Sequence, residues 1–373
     1  MNATFWSGKT VLVTGHTGFK GGWLCLWLQS LGARVVGYAL PPDTAPNLFQ
    51  LADVAQGMTS VIGDVRDLSA LSATLETHCP EIVFHLAAQP LVRRSYESPV
   101  ETYATNVMGT VHVLEAVRQT PSVRVCQVIT TDKCYENREW DYPHREIDRL
   151  GGHDPYSNSK ACAELAAAAY RDSFFAGRTE FSLATARAGN VIGGGDWAPE
   201  RIVPDCIRSL ERGEPIVLRN PHAIRPWQLV LEPLAGYLKL AEQQWLAPQQ
   251  FSGAWNFGPS GDKSIAVGTL VEQIIHVWGG GSWQLHAQAA TQPHETGALR
   301  LDISKANIRL DWHPVYTVAQ AVEQSVSWYQ QAGQSPEPGR MRALCQEQIA
   351  NYMDISAQRG VAQSVPRRMK QGS

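Results

Sequence analysis

The feature that most constrains this chain lies near its start. Thr10 to Val13 is a short apolar, β-branched run, and it leads into T-G-H-T-G-F-K-G-G-W. Gly15, Gly18 and Gly21 recur there at three-residue spacing. A helical stripe follows, Leu24, Trp27, Leu28 and Leu31, with Gly32 to stop it. Strand, glycine turn and helix in that order are the context a dinucleotide fingerprint requires. Glycines let the backbone approach a pyrophosphate, and the start of the helix offers free N–H groups. The alternative is a tight turn that holds no ligand. Gly15, Gly18, Phe19 and Gly21 are the candidate cofactor contacts. His16 and Lys20 are either near the phosphates or simply solvated.

The next segments repeat the pattern. Arg34 to Tyr38 reads as a second strand. The fingerprint calls for an Asp or Glu near its end to hold the adenosine ribose. Here the residues are G-Y-A-L-P-P, so that acid is missing, and no arginine follows directly to take a 2′-phosphate. Val61 to Val65 reads as a third strand with Asp64 at its tip. Asp64 either accepts from the adenine amino group or caps the helix from Leu68. Ile82 to Leu86 is a fourth strand, followed by Ala87 and Ala88, small enough for the chain to pass close to a cofactor. Val65 and Leu86 join the candidate cofactor set, to which Tyr156 and Lys160 further along also belong. A helix runs through Asn106 to Val117. Val123 to Ile129 and Phe181 to Ala186 make the fifth and sixth strands. This alternation predicts an α/β fold with a doubly wound parallel sheet and right-handed crossovers.

The stretch Val128 to Lys160 carries the chemistry. The fifth strand ends in Thr131, Asp132 and Lys133: a hydroxyl, a carboxyl and an amine in succession. Further on comes D-P-Y-S-N-S-K. Asp154 can cap a helix and Pro155 can start it. Tyr156 and Lys160 are then four apart on one face. A cation beside the phenol favours phenolate and lowers the tyrosine pKa. Such a pair can deprotonate an alcohol as hydride leaves its carbon. The bland alternative is an ordinary exposed helix pair.

From Arg187 the texture changes to R-A-G-N-V-I-G-G-G-D-W-A-P-E-R, which suits a substrate loop. The expected organisation is residues 1–188 as a dinucleotide-binding domain and 189–335 as a smaller α/β substrate domain, with part of 225–258 returning to the first. Residues 336–373 form a polar extension, solvated or facing an oligomer partner. A net charge of −3 argues against a nucleic-acid or membrane surface. Seven scattered cysteines without a C-x-x-C point to reduced thiols in a cytoplasmic protein and to no metal site.

Together, T-G-x-x-G-x-x-G, the threonine at the fifth strand end and Y-x-x-x-K resemble the extended short-chain dehydrogenase/reductase superfamily, whose fold is Rossmann-like. R-A-G-N-V-I-G-G-G-D-W and R-P-W-Q resemble its nucleotide-sugar branch. T-G-H-T-G-F-K-G, T-D-K with C-Y-E-N, and L-R-L-D-I-S-K-A resemble the CDP-glucose 4,6-dehydratase family. The resemblance spans about residues 6 to 330. It implies NAD as cofactor, a nucleotide-sugar substrate and a homo-oligomer, dimer or tetramer. By position it also implies roles. Tyr156 takes the C4 hydroxyl proton, Thr131 hydrogen-bonds that hydroxyl, and Lys160 holds the nicotinamide ribose. Lys133 is the base at C5, and Asp132 protonates the departing C6 hydroxyl. Asn190 and Arg225 match positions that hold the sugar diphosphate. Arg94, Arg201, His294 and Glu295 either bind substrate or sit in structural ion pairs. Two readings compete. One is another nucleotide-sugar enzyme, a 4-epimerase or a dehydratase for a different base. The other is an NAD(H)-binding redox sensor without turnover.

Overall fold

Alternate residues of the apolar runs face two different cores. Val11 and Val13 belong to one buried cluster and Leu12 to another; Ile82 and Phe84 part from Val83 in the same way. A parallel sheet buried on both faces requires such near-continuous apolar strands. The protein is seen in a computed structural model that describes residues 1–260, 264–286, 299–334, 337 and 339–364. Its main sheet has seven parallel strands: β1 (Thr10–Thr14), β2 (Arg34–Ala39), β3 (Thr59–Ile62), β4 (Ile82–His85), β5 (Val125–Ile129), β6 (Ser182–Arg187) and β7 (Gly253–Asn256). Their order is β7-β6-β5-β4-β1-β2-β3. Strand order reverses between β1 and β4, and in such sheets the ligand crevice opens at the strands' carboxyl ends at that switch point.

After β6 the chain leaves the sheet. It forms the helix Ile202–Glu211 and the strand Ile216–Leu218, which pairs in parallel with Trp283–Leu285. Ile224–Arg225 pairs antiparallel with Ile265–Ala266. Between these pieces the chain returns: the helix Leu231–Leu246 packs on the sheet, and β7 adds to β6. Gln127 of β5 donates to the Tyr237 carbonyl and to Gln244 Oε1, both at 2.9 Å, tying that helix to the sheet.

Three expectations change. β3 stops at Ile62, short of Asp64, and the helix Leu68–His78 is capped by Asp67, which accepts from Ala70 N at 3.0 Å. The helix Phe19–Ser30 is buried on all sides from Gly21 to Leu28 rather than along one stripe. The reason is the third change. The C-terminal segment is not all solvated: Arg340–Ser364 is a helix whose Met341, Leu344, Cys345, Ile349 and Tyr352 are buried in the larger core. Tyr352 meets the Trp27 ring edge-on at 5.6 Å. Arg342 donates to the Asp53 carbonyl and to Gln29 Oε1. The basic R-R-M-K run lies outside the described residues.

Tyr352 also donates at 2.7 Å to Glu232, a buried carboxylate that accepts from the Val315 and Tyr316 amides as well. Removing that donor leaves an oxygen of a buried carboxyl group short of a partner, at a group whose pKa burial already pushes up to about 7. Tyr352→Phe is therefore expected to cost about 1.5–3 kcal/mol of stability. Denaturant unfolding measures it, and an unchanged midpoint would show that the helix does not brace the fold.

Candidate functional site

One cleft of about 900 Å³ runs along the carboxyl ends of β1, β4 and β5. Its cofactor end is built by close approach of backbone. A Cβ on Gly21 would fall 2.0 Å from the Gly15 carbonyl oxygen, so the turn closes only with glycine there. Thr14 Oγ1 accepts from the Leu86 and Ala87 amides at 3.1 and 3.2 Å, which locks the β4 end against the turn. Gly15, Gly18, Phe19, Lys20, Gly21, Asp64, Val65, Leu86, Ala87 and Ala88 all line the cleft. The His16 side chain does not. Its ring is fully buried beside Gly37 and bonded to Ser60 Oγ at 2.7 Å. Burial drives its pKa down to about 4, so it offers no cation to a phosphate. Asp64 keeps to the cleft but is held by Arg66, a fork the sequence reading missed. Leu40, Pro41, Pro42 and Asp43 line the wall past β2. An acid thus stands just beyond the diproline, where the strand-end acid was missing.

The catalytic candidates gather at the end of β5. Thr131, Asp132, Lys133, Tyr156 and Lys160 line the same cleft as the glycine turn. The helix carrying the last two starts as expected. Pro155 opens it, and Asp154 caps it by accepting from Ser157 N at 2.9 Å. Thr131 lowers the pKa of the Tyr156 phenol against burial and donates to Asp132 Oδ1 at 2.9 Å. Asp132 is buried, and its Oδ2 has no partner among the described residues. Among those residues no ion pair joins Asp132 to Lys133; the Lys133 backbone N–H reaches Thr131 Oγ1 at 3.3 Å. Asp132 packs instead against Gly189, where a Cβ would sit 1.9 Å from Oδ2. Gly189→Ala is expected to push the carboxylate aside and cut turnover by about 10²-fold or more, with the fold intact by circular dichroism. Normal turnover would show that Asp132 is not needed where it stands.

The electrostatics correct one expectation. Lys160 does not lower the phenol. Its amine donates to the Ile129 carbonyl at 3.1 Å. Burial pushes Tyr156 up to about 12, against the pull of its Thr131 bond and of Arg201. Burial also lowers Lys160 to about 8. Lys20 reaches the catalytic end rather than the solvent: burial, then Arg201 and Lys160, drive it down to about 7, while Asp132 acts the other way.

The substrate candidates divide. Asn190, Arg94, Arg201 and Arg225 line the cleft. Asn190 adopts φ 50, a left-handed conformation uncommon for a side-chain-bearing residue. Arg94 pairs with Glu101 at 3.1 Å and Arg201 with Asp196 at 2.8 Å, so both also sit in ion pairs. His294 and Glu295 lie outside the described residues. Arg208, Arg212 and Arg219 line the same far end and were missed. Their signal was the helix and strand that border the glycine-rich loop.

The family model for GDP-mannose 4,6 dehydratase matches residues 12–325. The chain belongs to the GDP-mannose 4,6 dehydratase family. Within this dehydratase family it is 47% identical to the CDP-glucose 4,6-dehydratase of Salmonella typhimurium (strain LT2), over 95% of this chain and 99% of the relative. It is 29% identical to a dTDP-glucose 4,6-dehydratase of Xanthomonas campestris, over 86% of this chain and 93% of the relative. Two solved structures share the fold of this GDP-mannose 4,6 dehydratase family member. One is the dTDP-glucose 4,6-dehydratase of Bacillus anthracis in complex with NAD, with TM-score 0.74 and 22% identity, covering 89% of this chain and 100% of that one. The other is the UDP-glucose 4-epimerase of Thermotoga maritima with UDP-glucose, with TM-score 0.75 and 19% identity, covering 87% and 99%.

Proposed function

We propose that this protein converts CDP-glucose to CDP-4-keto-6-deoxyglucose by oxidation, loss of water and reduction, with NAD restored in each turnover. The observation that carries the reading is the meeting of Thr131, Asp132, Lys133 and Tyr156 with the glycine turn in one cleft. An epimerase needs no acid and base beside its tyrosine; a dehydratase does. The near-full-length likeness to the Salmonella enzyme supports CDP as the nucleotide.

The residues fit the cofactor. The Gly15–Gly21 cradle would be filled by a single Cβ, and the helix from Phe19 points its free amides into it. The chemistry NAD supplies when bound there is acceptance of a hydride from C4 and its return to C6. Lys160 would hold the nicotinamide ribose. Tyr156 takes the C4 hydroxyl proton, and Thr131 connects that phenol to Asp132. The resulting ketone acidifies C5. Lys133, half-buried and without an ion pair among the described residues, removes the C5 proton. Asp132 gives a proton to the C6 hydroxyl as water leaves. Arg201 and Arg225, with Asn190, face the diphosphate, which guanidinium forks suit.

The reaction is redox-neutral, so reduced cofactor is not expected to build up in solution during turnover. Absorbance near the reduced-nicotinamide band, followed beside product, tests this. Stoichiometric free NADH would point to an ordinary dehydrogenase.

A further inference from the structure

Tyr156 and Lys160 do not end the stripe they begin. Four residues on, Glu164 continues the same helix face, 3% exposed and outside the cleft lining. Its carboxylate accepts from Thr130 Oγ1, from Thr185 Oγ1 at 2.6 Å and from Arg187 Nη2 at 2.7 Å. Arg187 donates in turn to Tyr135 Oη at 2.7 Å, and Tyr135 donates to Asn256 Oδ1 at 2.8 Å. One carboxylate therefore joins the catalytic helix to the end of β5 and to β6, and through Arg187 to β7. A buried ion pair is not in itself a stability device, because desolvation offsets much of its attraction. Its placement is what points to function. Thr130 directly precedes Thr131 and Asp132, and Lys160 is bonded to the carbonyl just before Thr130.

Resting on the reaction proposed above, we propose that Glu164 is a positioning residue for it: its carboxylate fixes the strand end that carries Thr131 and Asp132, and supplies the negative charge beneath Lys160. The other groups facing Lys160 do not supply that charge. His85 on β4 is held neutral by burial and by Lys160 itself, its pKa down to about 3. Cys134, after β5, is a buried thiol pushed well above its usual range. Lys20, from the glycine-turn helix, is a further amine. Arg187 faces Glu164 as a cation. Burial drives Lys160 down, and Glu164 is the largest influence opposing it.

The test is the alkaline limb of the first step, read as reduced cofactor formed on rapid mixing of the NAD-loaded enzyme with CDP-glucose. In the parent enzyme that limb marks Lys160 losing its proton. Glu164→Gln keeps the shape and removes the charge, so the limb should move down by about 1 pH unit. Glu164→Asp keeps the charge and should hold the limb in place while slowing the step. If Glu164→Gln does not fold, the pair Glu164→Gln with Arg187→Met removes both charges and should move the limb down by less, because loss of the Arg187 cation beside Glu164 acts the other way. The ¹³Cε resonance of Lys160, assigned by its loss in Lys160→Met, reads the same titration without substrate. An unmoved limb and resonance in the charge-free variants, or an equal shift in Glu164→Asp, would overturn the proposal. A parent enzyme that forms no reduced cofactor with CDP-glucose, while the Lys160 resonance still shifts as stated, would instead sink the reaction reading alone.

Discussion

Lys133→Met is expected to stop the reaction halfway. The substitution keeps the stem length and removes the amine. In the proposed reaction oxidation at C4 rests on Tyr156, Thr131 and Lys160, none of which is bonded to the Lys133 amine; its backbone N–H alone reaches Thr131 Oγ1, at 3.3 Å. That step should stand. Elimination should slow by about 10² to 10⁴-fold, the usual value of a positioned base. Mixed with CDP-glucose, the variant should accumulate bound reduced cofactor and a 4-keto hexose that still carries its C6 hydroxyl. Rapid-mixing absorbance and quenched mass analysis read the two signatures. Normal turnover, or failure before any reduced cofactor forms, would show that Lys133 is not the C5 base.

Tyr156→Phe should block the earlier step and give neither signature. The phenol is buried in the same cleft as Thr131, which itself donates to Asp132 Oδ1 at 2.9 Å. In the proposed reaction, removing that one oxygen deletes the base. A loss of about 10³-fold or more in the oxidation is expected. Binding of NAD, measured by calorimetry, should change little, because the glycine cradle and Lys160 remain. Because burial holds the free phenol near 12, oxidation should also speed up as pH rises from 6 to 8, where more of the phenolate is available. A pH-independent oxidation rate over that range would mean that Tyr156 is not the proton acceptor.

Much of this was legible in the chain. The glycine turn, the β-branched strands and the capped helix at Asp154–Pro155 are local patterns, and local patterns survive folding. The meeting of T-D-K with Tyr156 follows from a strand end and a helix start that share the carboxyl end of the sheet. What could not be read is whatever depends on burial. A lysine four residues from a tyrosine suggests a lowered phenol, but the closed site pushes it up and turns the Lys160 amine to the Ile129 carbonyl. His16 looks like a phosphate contact in T-G-H-T-G, yet its ring fills the space beside Gly37. The C-terminal helix was hidden because its average composition is polar. Met341, Leu344, Cys345, Ile349 and Tyr352 do fall at helical spacing, but only the neighbouring Trp27 shows why they must be buried. Glu164 and Arg187 are 23 residues apart, and nothing local pairs them.

The central claim is that one cleft oxidises, dehydrates and reduces a nucleotide-glucose. It is tested most directly by incubating the NAD-loaded protein with a panel of nucleotide-glucoses in deuterated water. The expected result is conversion of CDP-glucose to a 4-keto product that has lost one water and carries deuterium at C5, with no net NADH. A 4-epimer of unchanged mass, or an oxidised sugar with matching NADH, would contradict it.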